Sequence, residues 1–539
     1  MKGFIRTIIL LLSLFLTMSV CSYAGEMVDY TAPDGVKYRV DYDNGVKAYC
    51  IDKNITQADI PSIINGYPVT FVDFSNCRSL AYADIPEGIT GFSFSECTTL
   101  NNVTIPVSVT SISENAFYNC SSLEYIELPE ALNMIRDNAF NGCTELKSVV
   151  IPEGVTSISG NAFNNCSSLS KIELPDSVTY IGVGVFSGCS SLSSINLPEG
   201  ISSIEANTFL NCSSLASIIV PGSVTEIKES AFEGCAALKS IDLAGNITSI
   251  RDDAFNGCTS LKSVTLSDKL EYIGWAAFRD CKRLKTITIP GSVTVIKASA
   301  FSGCSNLTVT IPAGVVSIGG YDYITADFAP FYRVKSAKYE GNSTEAIKSA
   351  ISPYSKKITS GSITLKWTEF TKASAYKIYK YNNSTKRWQL LKTIKDTQTT
   401  SYKVKNLKSN KKYLFKVKVI VDGKSYENKL RGQYTYRIKP SKINSVQLYT
   451  GNKSIKSIWS SSKRAAGYQV QIASNKKFTK GVKTKTYYRS NAYSAKFKNL
   501  KKGSRYYVRV RAFNDRSRNE GDNATQYGKW SKTVSIRCR

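Results

Sequence analysis

The stretch NAFNGC at residues 138–143 returns as DAFNGC at residues 253–258, which is five times 23 residues further on. Cysteine keeps the same 23-residue spacing across the whole region. Ten cysteines share it: Cys97, Cys120, Cys143, Cys166, Cys189, Cys212, Cys235, Cys258, Cys281 and Cys304. A unit this short cannot bury its own apolar face, and self-similarity at such a period is typical of stacked repeats. The spacing therefore predicts a solenoid in which each cysteine begins a new turn.

Each turn can be numbered from its cysteine as position zero. Apolar residues then recur at positions 3, 6, 8, 12, 15 and 20, and proline is common at position 9. Positions 6 and 8 alternate with polar positions 5 and 7, which indicates a short strand with one buried face, ended by the proline. Parallel strands ~4.8 Å apart bring each residue against its own copy in the next turn. We expect buried columns of leucine and phenylalanine: Leu123, Leu146, Leu169, Leu192 and Leu215, and Phe140, Phe163, Phe186 and Phe209.

The cysteines should form a third column. Disulfides are the competing interpretation for a secreted chain, but side chains in register lie ~4.8 Å apart, whereas a disulfide needs Cβ atoms ~3.8 Å apart. Zinc is disfavoured because no C-x₂-C pair occurs. We therefore expect reduced, buried thiols, which in a secreted protein would indicate an oxygen-poor habitat. Cys50 and Cys77 lie off the spacing and are the predicted disulfide.

The N-terminal segment 1–24 has the pattern of a secretion signal. Lys2 and Arg6 precede the apolar run 7–20, and Ser22-Tyr23-Ala24 is a small-x-small cleavage site. No later stretch reaches the ~20 apolar residues that a membrane helix needs. The sequence predicts a secreted or cell-surface protein without a transmembrane span.

Histidine is absent from all 539 residues. This excludes Ser-His-Asp and Cys-His catalysis and the mixed Cys/His zinc sites. A glycosidase carboxylate pair remains formally possible, but no two acidic residues combine with a plausible cleft. We expect no enzyme activity, no metal site and no cofactor.

The net charge of +28 conceals two opposite regions. Residues 355–539 contain 46 Lys+Arg and 7 Asp+Glu, a net charge of +39, and the rest of the chain carries −11. A charge of this size exceeds what solubility requires and indicates an anionic polymer partner. Secretion makes an intracellular nucleic acid an improbable partner.

The repeat pattern IP-x-x-V-x-x-I-x-x-x-A-F-x-x-C-x-x-L resembles the BspA-type leucine-rich repeat of bacterial surface proteins, over about residues 35–340. The opening segment GVKYRVDYDNGVKAYCIDK resembles the N-terminal cap of such arrays, with DNG as a hairpin turn. After Cys304 the proline comes one residue early and GGYDYITADFAPF is inserted. A short helix, with Asn342 and Glu345 at capping-box spacing, should close the stack. The resemblance implies an array that binds host or neighbour-cell proteins and glycans.

The basic region consists of two related units. Tryptophan precedes tyrosine by the same interval in both, as Trp367 with Tyr376 and Trp459 with Tyr468. Alternating strands separated by turns predict tandem β-sandwiches. They resemble fibronectin type III domains, which implies that both tryptophans are core residues and that Tyr413 and Tyr506 form tyrosine corners.

The predicted fold is mostly β: a leucine-rich-repeat solenoid with parallel strands, followed by two Ig-like or fibronectin type III sandwiches. The predicted limits are 1–24 for the signal peptide, 25–345 for the solenoid with its cap and helix, 355–440 for the first sandwich and 441–539 for the second.

Positions 5 and 7 of each turn should face outward, and most of them are Ser or Thr. Exposed Tyr125, Val150 and Ile219 break this pattern. The predicted partner contacts on the solenoid are Tyr125, Glu127, Val150, Lys171, Glu173 and Ile219. The predicted contacts to an anionic polymer are strand lysines of the first sandwich: Lys403, Lys405, Lys416 and Lys418.

Together these features predict a secreted or surface-associated bacterial adhesin. Its solenoid would bind an extracellular protein or glycan, and its basic sandwiches would attach to an anionic cell-wall polymer. Two alternatives remain: a carbohydrate-binding accessory protein of polysaccharide degradation, which would need exposed aromatic rings, and a structural spacer.

Overall fold

The computed structural model describes residues 27–32, 36–41, 46–319, 330–331, 334–341, 343–351, 354–408, 411–427, 434–437, 439–462, 465–514 and 526–539. The predicted signal peptide, the DNG turn, Asn342 and most of the inserted segment lie outside these residues. No helix in the described part of the chain is long and apolar enough to cross a membrane.

The chain divides into two compact units. One comprises Met1–Ile296 and Gly303–Thr308, and the other comprises Lys297–Ser302 and Val309–Arg539. The division falls inside the repeat array rather than near residue 350, and the predicted domain limits stay predictions.

The first unit begins with an antiparallel meander. The strands Val28–Thr31, Lys37–Asp41 and Val46–Cys50 pair in sequence order. The last of them then pairs in parallel with Tyr67–Asp73, which also carries the short antiparallel strand Ile63–Ile64. This is the predicted cap: it covers the first turn with paired strands and passes into the parallel arrangement of the repeats.

Two rows of parallel strands follow. The first strand row lies at positions 5–8 of the turns and contains Gln57–Asp59, Tyr82–Asp84, Asn102–Thr104, Ser148–Val150, Lys171–Glu173, Ser240–Leu243, Ser263–Leu266 and Thr286–Thr288. Its buried position 6 alternates with exposed positions 5 and 7, as the sequence pattern predicts.

The second strand row lies mainly at positions 14 and 15. It contains Gly91–Ser93, Ser111–Ile112, Met134–Ile135, Ser157–Ile158, Tyr180–Ile181, Ser203–Ile204, Glu226–Ile227, Ser249–Ile250, Tyr272–Ile273 and Val295–Ile296. Pairs such as Ile135 with Ile158 join the same position of consecutive turns, which confirms the predicted register.

The leucine and phenylalanine columns are present as predicted. Leu123, Leu146 and Leu169 are fully buried. From Phe94 to Phe278 the rings stack turn on turn, with centroid separations of 5.2–5.9 Å and interplanar angles of 4–13°. Stacked rings of this kind contribute about 0.5–1.5 kcal/mol per pair beyond their burial.

All 13 cysteines in the described residues are free and buried, and the cysteine column consists of ten of them. From Cys120 to Cys304, each Sγ–H donates to the carbonyl of the phenylalanine 26 residues earlier, just over one repeat length back along the chain, at 2.9–3.2 Å. The thiol therefore links one turn to the next while remaining reduced. Burial raises the pKa of the thiols from Cys97 to Cys281, to about 12 for Cys97 and Cys212.

The predicted disulfide between Cys50 and Cys77 is wrong: both cysteines are free. Their thiols are neighbours, and both are directed at the carbonyl of Asp52, at 3.3 Å from Cys50 and 3.9 Å from Cys77. Hydrogen bonding with the Cys77 thiol and burial raise the pKa of Cys50. The interval from Cys77 to Cys97 is shorter than the intervals between later cysteines, so the regular spacing begins only at Cys97.

The motif NAFNGC places two residues in the left-handed backbone region. Asn138 has φ 54° and Gly142 has φ 81°, a region that glycine and asparagine adopt at the least cost. At the second of these positions Asn119, Gly142, Asn165, Gly188, Asn211 and Gly234 alternate along the stack. A Cβ on Gly142 would lie 2.1 Å from Oδ1 of Asn119, so each asparagine occupies the space that the following glycine leaves open.

The second unit opens with the end of the array. After the inserted segment Phe331 stacks on Phe301 at 5.8 Å and continues the column. The helix Thr344–Ala350 is present as predicted, but its N-cap is Ser343, whose hydroxyl accepts from the N–H of Ala346. The assignment of Asn342 as the cap is therefore corrected by one residue.

The remaining strands around this helix are Thr308–Ile311, Ser317–Ile318 and Ser336–Tyr339. The last one pairs in parallel with Glu369–Phe370 of the first sandwich. The hydroxyl of Thr368 also donates to the carbonyl of Ala350 at 3.0 Å. The terminal turns and the first sandwich are therefore joined by backbone pairing, which explains why they form one compact unit.

Both sandwiches have the same topology. In the first, one sheet contains Tyr354–Ile358, Ile363–Lys366 and Ser401–Val404, and the other contains Ala373–Asn382, Arg387–Ile394, Lys412–Val421, Lys424–Tyr426 and Tyr434–Arg437. In the second, the corresponding sheets contain Val446–Gly451, Ser454–Trp459 and Ser494–Phe497, and Gly467–Ala473, Lys483–Tyr487, Arg505–Asn514, Gln526–Tyr527 and Val534–Arg537.

The predicted core residues are confirmed. Trp367 and Trp459 are buried and pack on their tyrosines at 5.5 and 5.8 Å. The hydroxyls of Tyr413 and Tyr506 each accept from a backbone N–H a few positions upstream, that of Lys408 at 2.8 Å and that of Lys501 at 3.0 Å. These are the tyrosine corners that the resemblance implied.

Replacing Gly142 with alanine tests the asparagine–glycine alternation. Gly257 occupies the same position with φ 77°, but a Cβ added there would lie 3.7 Å from its nearest neighbour, the backbone nitrogen of Gly234. We expect G257A to lower stability by about 1 kcal/mol through backbone strain. G142A should cost about 1–2 kcal/mol more, because Asn119 must rotate away from its hydrogen bond to Glu96. Urea midpoints followed by circular dichroism would measure both, and equal losses would refute the steric explanation.

The thiol column predicts a steep alkaline loss of stability. Unfolded thiols ionise near pH 8.5, whereas the buried thiols stay protonated to a much higher pH. Above about pH 8.5 the unfolded state therefore binds fewer protons than the native state, and the free energy of unfolding falls by about 1.4 kcal/mol per pH unit for each thiol. A flat stability profile from pH 8 to 10 would contradict the raised pKa of the thiols.

Alkylation of denatured, non-reduced protein should label most of the ten thiols. Disulfide bridges between successive turns would contradict this result.

Candidate binding surfaces

The outward side chains of the first strand row align from turn to turn. Tyr125 bridges to Ser148, which pairs with Lys171, and Val150 pairs with Glu173 in the adjacent column. Tyr125 and Val150 are 58% and 70% exposed. Two large apolar groups thus lie diagonally to each other on neighbouring turns of a row that is otherwise mostly polar.

Five of the six predicted contacts fall within three successive turns, because Glu127 belongs to the turn of Tyr125. Ile219 is 73% exposed, but it lies two turns beyond Glu173 and pairs with Asn196 of the turn between them. It is separate from the main cluster.

A groove of about 590 Å³ lies beside Tyr125, and Glu127 lines it. Its other walls come from Asn101, Asn102, Val103, Thr104, Ile105, Glu124 and Ile126. The strand Asn102–Thr104 pairs with Tyr82–Asp84 on one side, and among the described residues no strand pairing joins it to residues 125–127. The groove is therefore an interruption of the first strand row.

An ion pair that the sequence analysis did not predict lies at the edge of the groove. Lys147 forms a salt bridge with Glu124 and places its ammonium 5.3 Å from the centroid of the Tyr125 ring. Both charged residues occupy position 4 of consecutive turns, so the register of the repeat could have identified them. The ammonium therefore lies against one side of the ring.

The charged candidates Lys171 and Glu173 bind each other. Their Nζ and Oε1 atoms are 2.6 Å apart, and both side chains are well exposed. The hydrogen bond from Lys171 lowers the pKa of Glu173. The pair presents a neutral, dipolar surface next to Val150.

The four lysines of the first sandwich do not form one surface. Lys403 lies on the strand Ser401–Val404 of one sheet with Lys405 directly after it, and both are exposed. Lys416 and Lys418 lie on the strand Lys412–Val421 of the other sheet. The set is thus divided between the two sheets.

Lys416 and Lys418 already have partners. Both bind Oε2 of Glu427, at 2.9 and 3.3 Å. The ammonium of Lys416 also lies 4.6 Å from the ring of Trp388, and its side chain is only 12% exposed. Burial alone would raise the pKa of Glu427, but the two lysines hold it below its usual value. Lys416 and Lys418 therefore pack on the sheet surface as well as adding to its positive charge.

The second sandwich uses arginine at the equivalent positions. The guanidinium groups of Arg509 and Arg511 each lie 4.4 Å from the centroid of the Trp530 ring. Arg509 donates two N–H hydrogen bonds to Oε1 of Gln471, and Arg511 donates two to Oε1 of Gln469. Burial lowers the pKa of both arginines. In both sandwiches, cations on this strand pack on aromatic rings instead of extending freely into solvent.

Family models match the repeat array and the first sandwich. Residues 69–193 and 181–308 match the BspA type leucine rich repeat region, and residues 352–431 match the fibronectin type III domain. Both models describe repeat or binding domains rather than catalytic ones. A search of curated proteins found no match.

Solved structures with similar folds include bacterial repeat proteins. A leucine-rich repeat protein from Bacteroides ovatus is 27% identical, with 58% of this chain and 93% of that chain covered and a TM-score of 0.39. A leucine rich cell surface protein from Faecalibacterium prausnitzii is 26% identical, with 59% and 97% covered and a TM-score of 0.42. A two-domain fibronectin type III segment of chicken tenascin is 12% identical, with 34% and 97% covered and a TM-score of 0.23.

Substituting Lys416 tests whether it is a structural cation. We expect K416Q to destabilise the strand Lys412–Val421 by about 1–2 kcal/mol, because Glu427 and Trp388 both lose a partner. K403Q, on an exposed side chain, should change stability by less than about 0.5 kcal/mol. Hydrogen–deuterium exchange of this strand in the full chain is the measurement. Unchanged exchange in K416Q would show that the lysine is free for a ligand.

Proposed function

We propose that this chain, a BspA-type leucine-rich repeat region joined to fibronectin type III domains, is a secreted or surface-associated bacterial binding protein of the adhesin type. Its first strand row binds an extracellular protein or glycan of a host or neighbouring cell. Its basic sandwiches attach it to an anionic surface polymer. The predicted signal peptide 1–24 supports export.

The observation that carries the binding role is the interrupted first strand row. A groove opens where pairing stops, and exposed Tyr125 and Val150 lie beside amide, hydroxyl and carboxylate groups. Exposed apolar side chains surrounded by polar ones are typical of recognition surfaces. The ammonium of Lys147 lies 5.3 Å from the centroid of the tyrosine ring, so this cation belongs to the same surface.

The attachment role rests on the charge division. The net charge is +39 in residues 355–539 and −11 in the rest of the chain, so an anionic wall attracts one region and repels the other. Exposed Lys403 and Lys405 stay the proposed contacts of the first sandwich.

A carbohydrate-binding accessory role is the second candidate, favoured by the groove alone. A tyrosine ring beside Asn101, Asn102 and Glu127 offers one stacking surface with hydrogen-bonding groups around it. A single ring would bind one sugar unit, whereas polysaccharide binding would need a row of rings. The adhesin role is therefore preferred.

Replacing Tyr125 with alanine separates these roles from a purely structural one. The full chain would be tested against arrays of extracellular-matrix proteins and of glycans. Loss of a central tyrosine costs about 2 kcal/mol at many interfaces, so Y125A should weaken the ligand found by roughly 30-fold.

Tyr180 provides the matched control, because it is 49% exposed but lies on the second strand row. Y180A should bind as the unaltered chain does. A ligand found only among proteins supports the adhesin, and one found only among polysaccharides supports the accessory role. Equal losses in Y125A and Y180A, or no ligand on either array, would reject the groove as the binding site.

A further inference from the structure

The second sandwich has almost no means of neutralising its own charge. Between Glu427 and Asp515 the sequence contains 22 Lys+Arg and not one Asp or Glu. The first sandwich, by contrast, pairs Lys416 and Lys418 with Glu427. Any attraction that balances the second sandwich must come largely from outside this segment.

Three of these cations converge at one place. On the sheet of Val446–Gly451, Ser454–Trp459 and Ser494–Phe497, the residues Tyr449, Lys456 and Lys496 are direct cross-strand neighbours. Lys485, from the adjacent edge strand Lys483–Tyr487, donates from Nζ to the carbonyl of Lys496 at 2.6 Å. We call Lys456, Lys496 and Lys485 the transverse lysine row, since it runs across the strands.

The arrangement is unfavourable without a ligand. Directly opposed like charges destabilise a sheet, and Lys456 and Lys496 are opposed across strands ~4.8 Å apart. All three lysines are exposed. Among the described residues, no carboxylate forms an ion pair with any of them. A bound anion would relieve the repulsion that this register imposes.

The first sandwich shows that the fold does not require this arrangement. Counted from the equivalent tryptophan and leucine, Lys456 corresponds to Thr364 and Lys496 to Lys403. Those two residues pair across the same strands. One lysine faces a threonine there, so the doubled cation is a property of the second sandwich alone.

The side chains indicate the kind of anion. Lysine acts as a compact point charge and is a common ligand of phosphate, whereas arginine offers a planar fork that matches both carboxylate and phosphate. The row contains no arginine. It is flanked by one exposed aromatic ring, that of Tyr449, which is 51% exposed, whereas single-stranded nucleic acids are held by successive stacked rings.

We propose that the transverse lysine row binds successive phosphodiester groups of a cell-surface polymer of polyols or sugars. This rests on the attachment role proposed above and assigns it to a site. The polymer lies across the three strands beside Tyr449, and each ammonium contacts phosphate oxygens.

The test compares two triple variants of the full chain. K456Q/K485Q/K496Q removes the row, and K372Q/K395Q/K424Q removes three exposed lysines of the first sandwich with the same change in charge. Binding of poly(glycerol phosphate) is measured at several salt concentrations. The row variant should bind at least tenfold more weakly, and its salt slope should fall by about 2, since each phosphate contact contributes about 0.7. The control should keep most of its affinity.

Further arms make the result decisive. K456R/K485R/K496R should retain binding, and an unfolding midpoint of the glutamine variant no lower than that of the unaltered chain shows that the sandwich is folded. Equal losses in both triple variants, or an unchanged salt slope, would overturn the site while leaving electrostatic attachment intact. Preference for polygalacturonate would overturn phosphodiester recognition, and preference for double-stranded DNA would overturn the cell-surface polymer of polyols or sugars as the ligand. If the unaltered chain binds none of the three polymers, the attachment role itself fails.

Discussion

The repeat array depends on contact between identical residues in consecutive turns. Each turn places a phenylalanine ring on the ring before it, and its thiol donates a hydrogen to the carbonyl of the phenylalanine 26 residues earlier. Backbone hydrogen bonds run beside these contacts, as from the N–H of Phe140 to the carbonyl of Ala162. Rings, thiols and backbone all require the same repeat length, so the register of any turn is set by its neighbours. Cysteine suits this position because it is small enough to be buried and still donates one weak hydrogen bond.

The same constraint determines the exposed surface. Since buried residues are held in columns, the residues between them form columns too, and neighbouring turns combine their side chains into one surface. The ladder at the phenylalanine turns continues where the first strand row is interrupted, so a groove can open there without loss of the core. Stability and recognition therefore belong to different parts of each turn.

The two sandwiches show how one scaffold supports different surfaces. On one sheet of each, strand cations pack on aromatic rings, with Lys416 on Trp388 and Arg509 on Trp530. These contacts use cations as part of the packing. On the other sheet a single difference, Thr364 against Lys456, changes a mixed pair into two opposed ammonium groups. The high positive charge is thus unevenly available to a ligand.

Periodicity determined the turns, the two buried columns and the free thiols at the regular spacing, because each rests on residues that repeat in register. The tryptophan cores followed from the resemblance of the two sandwiches to fibronectin type III domains. The Cys50–Cys77 disulfide was wrong because it was inferred from cysteines off the spacing, where no register sets their geometry. The cap of the terminal helix was displaced by one residue, because the backbone bond to Ala346 selects Ser343. Only the tertiary structure decided which polar residues meet: the groove beside Tyr125, the neutralisation of Lys416 by Glu427 and the opposition of Lys456 to Lys496. These depend on pairing between strands and on where that pairing stops, which the pattern of a single chain segment does not contain.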